Sequence, residues 1–118
     1  MQTSGVSLIL DLFDCRSPAL ANEGILEQLF VDALQFAGFD AIDHLSHRFP
    51  NQGTTFVYIL NQSHATLHLF PASGFVSVDV YSCGKPEAVR PALEIIRGYL
   101  TQKLIARSVQ AQIIVRGE

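Results

Sequence analysis

The stretch TTFVYILNQSHATLHLFPASGFVSVDVYSC, residues 54–83, contains three strand-like segments separated by two polar connections. Residues 54–60 are a run of strand-forming side chains, and apolar side chains alternate with polar ones along about 65–70 and 75–83, as they do in strands with one buried face. The first connection begins at Asn61, and PASG forms the second. Because both connections are short, the pattern predicts neighbouring antiparallel strands.

Segments with helical periodicity lie on either side of this strand cluster. Residues 23–38 repeat apolar side chains at helical spacing, with Asn22 or Ser17 as the N-cap and Gly38 as the stop. The second helix is expected to begin at Pro86, because proline suits the first turn of a helix.

Residues 5–13, 39–49 and 106–115 are further strand candidates. The chain order is therefore strand, helix, a cluster of three or four strands, helix, strand. This order favours an α+β fold. We expect one domain over residues 1–118, built as a two-layer sandwich with a mainly antiparallel sheet and both helices packed on one face.

The composition excludes several classes of protein. Hydrophobic residues make up 48% of the 118 residues, and the mean hydropathy is +0.26, which indicates a packed core. The net charge is -3 and the eight Lys and Arg residues are scattered, so we expect no nucleic-acid partner. Asp11 and Asp14 interrupt the N-terminal apolar run, and no window is long enough to span a membrane. Cys15 and Cys83 are expected to be reduced thiols of a cytoplasmic protein without a membrane partner.

Four histidines, His44, His47, His64 and His68, lie close together in the chain. Their spacing matches no common zinc motif, and two histidines three residues apart on one strand point to opposite faces. Surface or hydrogen-bonded core histidines are the favoured explanation. We therefore predict no metal site.

A second candidate site combines Ser63, His68 and Cys83. Ser63 stands at a turn-to-strand junction, and a hairpin around PASG would return Cys83 to the same end of the sheet. A hydroxyl, an imidazole and a thiol can serve as nucleophile, base and acid. The alternative is that Cys83 is a small buried hydrophobe, and spacing alone leaves both interpretations open.

The segments SHATLHLFP and GFVSVDVYSCG, with support from GVSLILDLFDC and HRFPNQGTT, resemble the short prokaryotic type of S-adenosylmethionine decarboxylase proenzyme. The order and spacing of Ser63, His68 and Cys83 match the pattern of that family. The resemblance implies self-cleavage between Gln62 and Ser63, giving fragments 1–62 and 63–118. The Ser63 hydroxyl would attack the preceding carbonyl, and Ser63 would end as a pyruvoyl group.

The resemblance also implies a role for each residue. His68 would transfer a proton during processing, assisted by the hydroxyl of Thr55, where members often carry Ser. The pyruvoyl cofactor derived from Ser63 would act as an electron sink during decarboxylation of an amino-acid-type substrate, as pyridoxal phosphate does elsewhere. Cys83 would reprotonate the α-carbon. A homodimer is expected, because members pair their sheets and share active-site residues across the interface.

The chain departs from the family pattern in three places. Gln62 stands where members usually have Glu, and Ser7 stands where they often have His. Members usually read Trp-Pro-Glu where this chain reads Phe70-Pro71-Ala72. Phe49 and Phe70 can still stack on a base, but Ala72 offers no side-chain acceptor for a ribose hydroxyl, which weakens nucleoside recognition.

This weakened recognition motivates two alternatives to S-adenosylmethionine decarboxylation. One is a pyruvoyl decarboxylase of ornithine or arginine, with Asp11, Asp79 or Glu87 pairing the distal charge of the substrate. The other is a non-catalytic, unprocessed relative that acts as a regulatory or ligand-binding subunit.

Overall fold

The computed structural model describes residues 3–51 and 53–118. Its elements follow the predicted order, with four strands between the two helices. They are β1 (Gly5–Cys15), a short 3-10 helix (Pro18–Ala21), α1 (Glu23–Phe36), β2 (Ala41–Arg48), β3 (Thr54–Leu60), β4 (Ser63–Phe70), β5 (Phe75–Cys83), α2 (Pro86–Lys103) and β6 (Ala106–Arg116). Neither α1 nor α2 combines the length and apolar content needed to cross a membrane.

The six strands form one antiparallel sheet in the order β2-β3-β4-β5-β1-β6. The predicted hairpin pairs β4 with β5, so that Phe70 lies opposite Phe75 and Ser63 lies opposite Ser82. β4 begins at Ser63, slightly earlier than predicted, because Ser63 and His64 already pair with both neighbouring strands. The predicted α+β sandwich is confirmed.

The two faces of the sheet have different environments. On the helix side, alternate strand residues pack under α1 and α2 in one apolar core. Its largest buried members include Leu8, Leu10, Leu12, Phe30, Phe56, Leu67, Leu69, Leu93 and Ile96. The other side, called the open face below, carries the odd-numbered residues of β1 up to Phe13, of β3 and of β5, and the even-numbered residues of β4 and of β6 from Ser108 onwards. It includes exposed apolar side chains such as Ile9, Ile59, Phe70 and Ile114.

Local capping explains where α1 begins and ends. The Asn22 side chain accepts a hydrogen bond from the Ile25 N–H at 3.2 Å and so caps α1. Ser17, the other candidate, caps the 3-10 helix instead. Gly38 follows the helix with φ of 94°, which glycine adopts without a steric penalty.

Candidate active site

The turn between β3 and β4 holds the predicted cleavage junction. Gln62 has φ of 59°, in the left-handed region that costs a non-glycine residue on the order of 1 kcal/mol. Ser63 follows as the first residue of β4, and this residue is only 8% exposed. Its hydroxyl has two hydrogen-bond acceptors within reach, the Asn61 carbonyl oxygen at 3.0 Å and Ser82 Oγ at 2.9 Å. The serine is therefore held in place next to a strained residue.

The carbonyl group of Gln62 is polarised by the backbone of β5. Its oxygen accepts a hydrogen bond from the Cys83 N–H at 3.1 Å. A fixed amide donor at this oxygen stabilises the negative charge that would develop if a hydroxyl attacked the carbonyl carbon. The hydroxyl of Ser63 belongs to the next residue and can reach that carbon by closing a small ring. The junction therefore combines a nucleophile with a polarised target.

Cys83 ends β5 with its side chain exposed on the open face. Its backbone adjoins the junction, as the hairpin predicted, but its thiol and the Ser63 hydroxyl project to opposite faces because Ser63 pairs with Ser82. Cys15, the other free thiol, is buried, and that burial raises its pKa to about 11. Since the thiolate is the reactive form, Cys83 is the chemically accessible thiol of the chain.

His68 and Thr55 face each other across β4 and β3 on the open face. Thr55 Oγ1 lies 2.5 Å from His68 Nδ1. A hydrogen bond at one ring nitrogen fixes the orientation of an imidazole and leaves the other nitrogen for proton transfer. The structure therefore brings together the two residues predicted to assist processing.

Ser63 and His68 do not meet within one chain. They lie five positions apart on β4, and an odd separation places their side chains on opposite faces of the sheet. At the rise of an extended strand, their Cα atoms are roughly 16 Å apart. The expectation that His68 faces the Ser63 site is therefore wrong for a chain taken alone.

Phe49 and Phe70, the predicted base-stacking residues, lie on either side of His68. Their ring centroids are 5.5 Å and 4.3 Å from that of His68. The row continues through Phe75, 5.2 Å from Phe70, to Phe13, 5.0 Å from Phe75. These five residues are called the aromatic strip below. Sequence analysis missed Phe13 and Phe75, although their odd numbers on β1 and β5 place them on the open face.

An ion pair supports the strand that carries Thr55. Arg48 donates two hydrogen bonds of 2.9 Å to the carboxylate of Glu23, and the Thr54 hydroxyl also donates to it. The Arg48 and Thr54 hydrogen bonds, with the charge of Arg48, lower the pKa of Glu23 to about 2. This contact joins the start of α1 to the adjacent ends of β2 and β3, and sequence spacing gave no sign of it.

The histidines are dispersed over the sheet. His44 stacks on Tyr58 with ring centroids 5.3 Å apart on the helix side, while His47 contacts Phe49 on the other side. Across residues 3–51 and 53–118, no three His, Cys, Asp or Glu side chains are grouped so that they could hold a metal ion.

A family model described as S-adenosylmethionine decarboxylase matches residues 6–117. The chain belongs to the S-adenosylmethionine decarboxylase family. It is 36% identical over 117 residues to the S-adenosylmethionine decarboxylase proenzyme of Bacillus cytotoxicus, covering 99% of this chain and 87% of that protein. The proenzyme 2 of Halalkalibacterium halodurans is 34% identical, with 99% and 89% coverage.

A solved structure shares the fold. The crystal structure of the adenosylmethionine decarboxylase from Aquifex aeolicus superposes with a TM-score of 0.80 at 25% identity, covering 100% of this chain and 94% of that one. The family resemblance seen in the sequence is therefore confirmed. Membership of a decarboxylase family also favours the main functional interpretation over an amino-acid decarboxylase or a non-catalytic relative.

Proposed function

We propose that this chain is a proenzyme that cleaves itself between Gln62 and Ser63 and then decarboxylates S-adenosylmethionine. The observation that carries the proposal is the hydrogen bond from the Cys83 amide to the Gln62 carbonyl oxygen. Gln62 has a left-handed backbone and a polarised carbonyl group, and the buried Ser63 hydroxyl follows it directly. An internal acyl shift needs this arrangement.

The cleavage step uses atoms of the chain itself. The Ser63 oxygen bonds to the Gln62 carbonyl carbon, the peptide C–N bond breaks, and an ester with a free amino group at residue 63 remains. Loss of the α-proton of residue 63 then expels residues 1–62 as a carboxylate. The unsaturated residue left behind takes up water and loses ammonia, which leaves a pyruvoyl group at the start of residues 63–118. His68, oriented by Thr55, would accept the α-proton.

The surroundings of residue 63 fit such a group. Position 63 is nearly buried, and Ser82 Oγ lies beside it, accepting from the Ser63 hydroxyl at 2.9 Å and donating to the Cys83 carbonyl oxygen at 3.0 Å. The pyruvoyl group supplies a carbonyl that takes up the electron pair released when a carboxylate leaves as carbon dioxide. The Cys83 thiol, exposed beside the junction, would give a proton to the substrate carbon.

The proposed active unit is a homodimer joined through the open faces. Two observations support it: His68 lies roughly 16 Å along β4 from Ser63, out of reach within a chain, and the open face exposes apolar side chains. A second copy would bring its His68–Thr55 pair to the open-face side of the junction, towards the Cα atom of residue 63 and not towards its hydroxyl, which lies on the helix side. The same arrangement would bring the aromatic strip of one copy towards the junction of the other, where Phe49 and Phe70 would stack on the adenine of the substrate.

A free thiol at Cys83 suits a reducing compartment, which supports a cytoplasmic location. The proposed proton transfer requires this thiol, so formation of a disulfide at Cys83 would stop turnover. The names of the relatives support S-adenosylmethionine as the substrate.

Release of labelled carbon dioxide tests the proposal. Purified protein is incubated separately with carboxyl-labelled S-adenosylmethionine, ornithine and arginine. We expect release from S-adenosylmethionine alone and none from a Ser63→Ala variant. Ser46→Ala, at an exposed position of the edge strand β2, serves as the matched control with full activity. Release from ornithine or arginine only, or from none of the three, would overturn the proposed activity.

A further inference from the structure

Tyr81 lies two residues before Cys83 on the open face, and the fold makes room for its ring. Gly5 of β1 pairs with Cys83, and a Cβ atom at Gly5 would overlap the hydroxyl group of Tyr81. The absence of a side chain at Gly5 lets the ring lie over β1, with its hydroxyl at the end of the sheet where Cys83 is. The phenol oxygen is 4.0 Å from the Cys83 sulfur, a contact distance for a sulfur hydrogen bond.

Neighbouring side chains hold the ring in this position. The guanidinium carbon of Arg116 lies 5.5 Å from the Tyr81 ring centroid, and Arg116 Nη1 donates to Ser7 Oγ at 3.2 Å. The His64 ring stacks on Tyr81 with centroids 5.5 Å apart. Ser7, one of the departures from the family pattern, thus has a role here: it is small, lies opposite Tyr81 and anchors the arginine.

We propose that Tyr81 is a positioning residue whose hydroxyl donates a hydrogen bond to the Cys83 thiolate. The inference rests on the proposed role of Cys83 as the proton donor. In that step the S–H proton moves to the substrate carbon and the sulfur keeps the electron pair. The Tyr81 hydroxyl and the charge of Arg116 stabilise this thiolate until water returns a proton.

The electrostatics of the site agree with this donor role. The hydrogen bond with Cys83 raises the pKa of Tyr81 above its usual value, so the phenol keeps its proton and remains a donor. A hydrogen bond donated to a thiolate favours the charged form of the acceptor and lowers its pKa. The other titratable groups on this part of the open face are His64 on β4 and Asp79 on β5, the latter one position further along the face.

The alkylation rate of Cys83 tests the inference. Iodoacetamide reacts with the wild type and with Tyr81→Phe between about pH 6 and pH 10, and peptide mass spectrometry separates Cys83 from the buried Cys15. We expect Tyr81→Phe to slow the alkylation of Cys83 near neutral pH by roughly three- to tenfold. Tyr99→Phe on α2, which removes a hydroxyl far from the site, should leave the profile unchanged.

Two further measurements separate this inference from the proposed function. The same titration in a Ser63→Ala background does not depend on cleavage or turnover, so the shift should persist there even if the chain decarboxylates nothing. Arg116→Gln should move the profile in the same direction by a smaller amount. If decarboxylation occurs, Tyr81→Phe should lower kcat with little change in KM. Superimposable alkylation profiles for wild type, Tyr81→Phe and Arg116→Gln would overturn the inference.

Discussion

The amide nitrogen of Cys83 donates to the carbonyl oxygen of Gln62 over 3.1 Å, and this bond joins the end of β5 to the proposed cleavage site. Cys83 therefore contributes different atoms to the two proposed stages. Its backbone amide polarises the peptide that is cut, and its thiol is exposed on the open face for the later proton transfer. One position on the strand thus links maturation to turnover.

This division of roles predicts that Cys83→Ala separates the two stages. The variant keeps the backbone amide, so cleavage should proceed at close to the wild-type rate. Decarboxylation should fall by roughly 100-fold, the usual contribution of a positioned general acid. A gel time course measures the first quantity and carbon dioxide release the second. Cys15→Ala is the control for removing a thiol. If Cys83→Ala lost both cleavage and turnover, the separate roles assigned to the amide and the thiol would be contradicted.

The 2.5 Å contact between Thr55 Oγ1 and His68 Nδ1 predicts that the hydroxyl matters for processing. Thr55→Val keeps the shape of the side chain but removes the hydrogen bond, so cleavage should slow by roughly 100-fold. Thr55→Ser should retain most of the rate. Thr66→Val, on the same face of β4, controls for replacing a threonine on the open face. Wild-type cleavage by Thr55→Val would remove Thr55 from the account.

The opposite orientations of Ser63 and His68 predict complementation between subunits. Ser63→Ala chains alone and His68→Ala chains alone should remain uncleaved. When the two are co-expressed with different tags, the His68→Ala chains should be cut, because their intact Ser63 meets the His68 of the partner copy. The mass of each tagged chain reports the outcome. Failure of cleavage in the mixture, despite association shown by co-purification, would contradict a site shared between subunits.

The Glu23–Arg48 pair predicts how stability depends on pH. The pKa of Glu23 falls from an ordinary 4.5 to about 2 on folding. The pair therefore stabilises the fold above about pH 4.5, and this stabilisation is lost as the pH falls towards 2. Glu23 is 34% exposed, and solvent screening limits the contribution to about 1 kcal/mol. Denaturant titrations should show Glu23→Gln less stable than the wild type at pH 7 and nearly equal to it near pH 2. Glu94→Gln, which breaks an exposed ion pair within α2, should lower the stability less. A loss of stability in Glu23→Gln that is the same at pH 7 and pH 2 would contradict a contribution from the ionised Glu23.

Local pattern predicted much of the fold. Alternation along β4 and β5, the strand-forming residues of β3 and the short connections predicted three neighbouring strands, and Asn22 and Pro86 marked the two helix starts. The same alternation also implied that Ser63 and His68 point to opposite faces. The odd separation of Ser63 and His68, like that of His44 and His47, therefore excludes a direct Ser63–His68 contact within one chain.

Long-range pairing accounts for what sequence analysis missed. Arg116 reaches Ser7 and Tyr81 only because β6 pairs with β1 across nearly the whole chain. Likewise, Glu23 meets Arg48 because α1 lies over the edge of the sheet. No spacing rule links such residues, since their proximity depends on strand order and not on local periodicity.

The mass of the purified chain tests the central claim most directly. We predict two species, residues 1–62 and residues 63–118, the second lighter by one ammonia than the same fragment with a free serine and resistant to sequential N-terminal degradation. Ser63→Ala should give one uncut chain. A wild-type protein that remains a single chain with an unmodified Ser63 would contradict self-processing and, with it, the proposed catalytic role.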